Sequence, residues 1–189
     1  MQDAILDFWF GPVGSEEYGT ERKQWFRKDA AFDALLRGRF EAVIANALAG
    51  AYADWAATPR GALARILLLD QFTRNAFRDL PGAFAGDALA LEVAGNAVDL
   101  HLDADLIAVE RYFVYLPFAH AEAPALQQRS VQLFTRLRDE TGLEEPLVWA
   151  RRHASVIALF GRFPHRNVIL GRPSTAEEIA FLSAPGSRF

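Results

Sequence analysis

The apolar residues of this chain recur at steps of three and four, in runs closed by Gly and Pro, and no stretch alternates apolar with polar residues as a half-buried strand does. That spacing restricts the chain to helices. The clearest run follows Asp29, a good N-cap, and carries Phe32, Leu35, Leu36, Phe40, Val43, Ile44, Ala47 and Leu48 to a stop at Gly50. Thr58 and Pro59 open a second helix through Leu63, Ile66, Leu67 and Leu69 toward Phe77, which Pro81-Gly82 breaks. A small-residue helix passes through Phe84, Leu91 and Val98, and an apolar stretch from Leu106 to Leu116 is expected to end at Pro117, because an interior proline lacks a helical N–H. Pro124 and Pro146 start two more helices, ending near Gly142 and Gly161, and a capping box of Thr175 and Glu178 opens a last short one. Connections of a few residues predict antiparallel helix hairpins, so the class is all-α.

The 189 residues, 51% of them hydrophobic, suffice for one sizeable core, and a single domain over 1–189 is expected. The formal net charge is -4 and basic residues are scattered among acids, which argues against a nucleic-acid partner. Without cysteine there is no disulfide, no thiolate nucleophile and no Cys-based zinc site. The opening MQDAILDFWFGP lacks the basic leader and cleavage pattern of a signal peptide, and the apolar run at Ile66–Leu69 is far too short to span a bilayer. The expected location is therefore cytoplasmic, with no membrane partner; oligomeric state is not legible.

Several polar residues stand where the helical spacing calls for apolar ones. Asp70 lies one turn beyond Ile66 and Leu67, on their face, so it is expected to be partly buried and to need a partner. Arg74 at i+4 supplies one, with Gln71, Asn75 and Arg78 along the adjacent stripe. Glu110 has Leu106 and Ile107 before it and Phe113 after it, so it must be paired or protonated, while Arg111 points to another face. After the expected break at Pro117, His120 and Glu122 can point into one cleft, which makes His120 the first candidate for chemistry. His153 shares a face with Trp149, Val156, Ile157 and Phe160, and reads as a core histidine held by a hydrogen bond or as part of the same site.

The segment Gly161 to Asn167, with Gly171-Arg172 after it, sets Arg162, His165, Arg166 and Arg172 in a connection between helices. Converging guanidinium groups suit a phosphate or carboxylate; alternatively they neutralise Asp70, Glu110 and Glu122 in an internal network. Asp99, Asp103, Asp105 and Glu110 have the spacing of a calcium loop, but Ala104 occupies the position that requires glycine, so the match is set aside. No G-x-S-x-G, H-E-x-x-H, Walker or dinucleotide motif occurs, no metal set is read, and the cofactor is left open.

Ile5-Leu6-Asp7-Phe8-Trp9-Phe10-Gly11, Asp70-Gln71-Phe72 with Arg74-Asn75, Glu110-Arg111, Pro117-Phe118 with His120 and Glu122, Gly161 through Asn167, and Leu170-Gly171-Arg172 together resemble an uncharacterised bacterial family of TPR-like helical proteins. The resemblance runs from Ile5 to Phe189 and implies a tetratricopeptide-like α-α superhelix in one compact domain, with no activity attached. Thr73 stands where that pattern usually has proline, and Ala121 where it usually has serine, so a serine nucleophile beside His120 is not essential here.

Three readings follow. One is a binding module whose pocket, drawn from Gln71, Arg74, Asn75, Arg111, His153, Arg162, His165, Arg166, Asn167 and Arg172, holds a small anion or a peptide carboxylate. Another is a hydrolase-like enzyme in that pocket, using His120 with Glu122, Asp70 or Glu110, with or without a metal. The remaining one is a helical scaffold with a structural ion network and a protein partner.

Overall fold

In a computed structural model of the chain, residues 1–184 are described; the end of the expected domain, 185–189, lies outside them. Among the described residues the chain forms helices and turns and no strand, and no helix is long and apolar enough to cross a membrane. Helix α1 (Gln2–Phe10), additional to those expected from spacing, buries Ile5, Leu6, Trp9 and Phe10. Its last carbonyls are satisfied from the following loop: Arg22 donates to Phe8 and Trp9 at 3.0 and 2.9 Å, and the Trp25 indole to Trp9 at 2.9 Å. Helix α2 (Ala30–Leu48) starts where the Asp29 carboxylate accepts from the N–H groups of Ala31 and Phe32.

The helix opened by Thr58 and Pro59 does not run uniformly to Phe77. It is α-helical over α3 (Pro59–Ile66), widens into a π-helix over Leu67–Phe72, and returns to α-geometry in α4 (Thr73–Ala76). Every residue of the π segment is buried. Local side chains engage its carbonyls: the Thr73 hydroxyl donates to Leu69 at 2.8 Å, and Arg74 to Asp70 at 2.8 Å.

Helix α5 (Asp87–Asp99) starts at Asp87, Phe84 belonging to a 3-10 turn over Pro81–Phe84. The expected stop at Pro117 is corrected. Helix α6 (Ala108–His120) continues through that proline. Proline forfeits one backbone bond, but Val114, Tyr115, Leu116, Phe118 and Ala119 around it are all buried, so packing holds the turn together. Helices α7 (Pro124–Thr141), α8 (Glu145–Phe160) and α9 (Ala176–Leu182) follow, and α5 packs on α6, α6 on α7 and α7 on α8.

The main core joins α1 to these helices through Trp9, Trp25 and Phe113, whose rings meet at 4.9 to 6.2 Å. A smaller apolar cluster of Val156, Ile157 and Phe163 anchors the segment after α8. The C-terminal end of α6, the π segment, the start of α5 and the segment after α8 thereby come together.

Candidate functional site

Asp70 is presented by the π segment and has no exposed surface. Its Oδ1 receives Nδ1 of His120 at 2.7 Å and Nη1 of Arg74 at 3.0 Å, and its Oδ2 receives Nε2 of Gln71 at 2.6 Å. Burial by itself raises a carboxyl pKa; Arg74, His120 and Gln71 reverse that and hold Asp70 ionised, well below the usual range. A carboxylate only accepts, so Nδ1 of His120 carries the proton and Nε2 presents its lone pair. Burial and the neighbouring Arg74 charge push the His120 pKa down, which favours the neutral ring.

His120 lines a cavity of about 250 Å³ together with Asp87, Pro117, Ala121, Glu122 and Arg166, with Ala88 and Leu91 adding apolar surface. Arg166 is 6% exposed, and its guanidinium carbon lies 4.8 Å from the Phe84 ring centre and 4.6 Å from that of Phe163. Its ion pair to Asp87 is long at 3.4 Å, and its Nε–H is buried without a hydrogen-bond partner. Burial and the Arg74 charge lower its pKa to about 10. Asp87 is shared, because Arg74 binds it in bidentate fashion at 2.7 and 3.1 Å.

Two further histidines adjoin. The His153 ring centre is 6.1 Å from that of His120, and its Nδ1 donates to the Trp149 carbonyl at 2.8 Å. Phe163 stands next to both His153 and His165, with ring centres at 5.5 and 5.6 Å. Burial foremost, and neighbouring positive charge, take His153 to about 3 and His165 to about 4, so both rings are neutral near pH 7.

Glu122 receives Arg172 at 2.6 and 3.0 Å and the Phe163 N–H at 2.8 Å, and those bonds hold its pKa below normal against the effect of burial. Arg172 also reaches Asn167, whose amide donates to Glu178 at 3.1 Å. Glu178, besides capping α9, receives Arg162 at 2.7 and 2.8 Å. Arg162 and Asn167 therefore brace the segment from behind and do not line the cavity. Around the cavity, Arg74, Arg166 and Arg172 face Asp70, Asp87 and Glu122, a balance of like numbers of charges.

Other expected members lie elsewhere. Glu110, at the first turn of α6, sits about 15 Å along the helix from His120. It is paired with Arg60 at 3.0 Å and Tyr18 at 3.1 Å, and accepts from the Ile107 N–H. Arg111 pairs with Glu140 at 2.6 Å beside a separate cavity of about 170 Å³ lined by His101, Asp103 and Arg136. Asn75 joins Arg78 on Asp33 and ties α4 to α2. Asp103, from the calcium-like spacing, is held by Tyr115 and Arg136. No group of three or more His, Cys, Asp or Glu side chains that could hold a metal ion occurs among the described residues.

Asp87, Phe84 and Phe163 were not among the expected site residues. Asp87 reads as an ordinary first-turn acid of a helix. Phe84 and Phe163 look like core aromatics; a signal for Phe163 is its place between two histidine-bearing segments.

The sequence profile described as "Bacterial protein of unknown function (DUF924)" matches residues 5–186. A solved structure of a protein of unknown function from Agrobacterium tumefaciens is 39% identical and superposes with a TM-score of 0.84, over 96% of each chain. No curated protein matches. With the profile covering nearly its whole length, the chain belongs to the DUF924 family of bacterial proteins of unknown function.

Proposed function

We propose that the protein is a cytoplasmic, TPR-like helical protein that binds a small carboxylate- or phosphate-bearing molecule in the cavity between His120 and Arg166. The single observation that carries this reading is Arg166. A buried guanidinium with an unpartnered Nε–H and one long ion pair lacks an acceptor, and leaving such a donor unsatisfied costs about 1–3 kcal/mol. Arg166 lines the cavity, so an anionic oxygen of a ligand there gives its guanidinium a second acceptor besides Asp87. The cavity, at about 250 Å³, falls below the roughly 300 Å³ at which drug-sized sites begin, which favours a small metabolite over a peptide. The successive packing of α5, α6, α7 and α8 supports the stacked-hairpin reading.

The scaffold reading draws support from the rest of the arginines. Arg74, Arg162 and Arg172 each hold a carboxylate of the chain, so they serve as structure and leave Arg166 as the seat. Thermal shift against succinate and inorganic phosphate tests the proposal. A ligand at a hundred times its Kd adds about 2.7 kcal/mol, an increase in Tm of roughly 5–10 °C for a chain of this size. Arg166→Gln is expected to abolish that increase, whereas Arg162→Ala lowers the starting Tm and leaves the increase in place. Equal increases in wild type and Arg166→Gln, or none with either compound, contradict the proposal.

A further inference from the structure

We infer that His120 is a proton acceptor that activates water in this cavity for hydrolysis of a small carboxylate-bearing ester, with Asp70 as its positioning residue. The inference rests on the binding reading, since Arg166 is taken to hold the substrate's carboxylate. Its own support is a different observation, the Asp70–His120 pair. Nδ1 is committed to Asp70 at 2.7 Å, so the imidazole is fixed in one tautomer and cannot rotate without leaving a buried carboxylate short of a donor. Nε2 makes no hydrogen bond among the described residues, and the ring lines the cavity that Arg166 also lines.

The lining also limits what the attacking group can be. It offers His120, Arg166, the carboxylates Asp87 and Glu122, and apolar carbon, and no hydroxyl, thiol or amine side chain. Both carboxylates are paired with arginine. Ala121, next to His120, presents only a methyl group. Water is left as the nucleophile.

In the step, Nε2 of His120 takes one proton from a water as the water oxygen bonds to the ester carbonyl carbon. The bond from that carbon to the alcohol oxygen then breaks, and the alcohol oxygen receives the proton back from Nε2. Acid and alcohol leave, His120 is again neutral, and nothing is oxidised or reduced.

The test uses the full chain and mono-4-nitrophenyl succinate, which joins a free carboxylate to an activated ester; its phenolate leaves unprotonated and His120 returns the proton to solvent. Release of 4-nitrophenolate is followed beside the thermal shift with succinate, for wild type and His120→Gln, whose amide can still donate to Asp70. The expected result is saturable hydrolysis, faster than with equimolar imidazole and at least about 100-fold slower in His120→Gln, with succinate stabilising the wild type and, to a smaller extent, His120→Gln. Succinate stabilisation that depends on Arg166, with hydrolysis no faster than in His120→Gln, overturns this inference and leaves the binding reading standing. Neither stabilisation nor hydrolysis overturns both.

Discussion

At the scale of the residue, Asp70 governs the account because an ionised carboxylate without exposed surface has to be saturated by its neighbours. Asp70→Ala leaves Arg74 without one of its two carboxylates and His120 without its acceptor, and the expected loss is about 3–5 kcal/mol in urea unfolding; Asp70→Asn is expected to cost less and to change the His120 tautomer seen in imidazole nitrogen NMR. The histidines give a second test. His153 and His165 have folded pKa values of about 3 and about 4, below the unfolded value of about 6.5. The unfolded chain therefore binds more protons as pH falls below 6.5, and stability present above that value is lost on the way down. Together the two sites should remove about 3–4 kcal/mol between pH 7 and pH 5, read from urea midpoints at both values. The burial of Asp70 and its partner Arg74 were legible from helical spacing, because both lie within one turn of each other. His120, fifty positions away in sequence, could be flagged only as a histidine near a proline; its bond to Asp70 is a tertiary fact that no local spacing encodes.

At the scale of the element, the caps were legible and the departures from α-geometry were not. Asp29, Pro124 and the Thr175–Glu178 box start their helices where the sequence places them, since capping depends on a few adjacent residues. Pro117 misleads because the local rule against interior proline is outweighed by burial on every side. The π segment leaves no periodic mark either, because its six residues are all buried and the apolar run reads equally well as α-helix. Its position has a sharper requirement at Gly86, just before Asp87. A Cβ there would lie 2.2 Å from the Leu69 carbonyl oxygen, which is backbone and cannot swing away. Gly86→Ala is expected to destabilise the fold by about 1–3 kcal/mol, lowering Tm by several degrees, and to displace Asp87 from Arg74 and Arg166. A Tm unchanged within a degree would show that α5 need not approach the π segment so closely.

At the scale of the whole molecule, the fold brings three chain segments to one cavity, with the π segment behind His120, and the charges around it balance. An arriving anion leaves an excess of negative charge that His120 can relieve by taking a proton. Its pKa, lowered in the free protein by burial and Arg74, is then expected to rise toward neutrality, the range in which a base works best. Binding of an anion should consequently strengthen as pH falls from 8 to 6. The helical class was legible from periodicity, and so was the burial of Asp70 and Glu110, polar residues on apolar faces. Which members converge was not, since Glu110 shares α6 with His120 yet belongs to a different neighbourhood with Arg60 and Tyr18. Titration calorimetry of succinate at pH 6.5, in two buffers of different ionisation enthalpy, checks whether Arg166 and His120 form one anion site. The expected result is one binding site with net proton uptake, binding abolished in Arg166→Gln and uptake abolished in His120→Gln. Binding of equal strength in wild type and Arg166→Gln, or no binding at all, would contradict it.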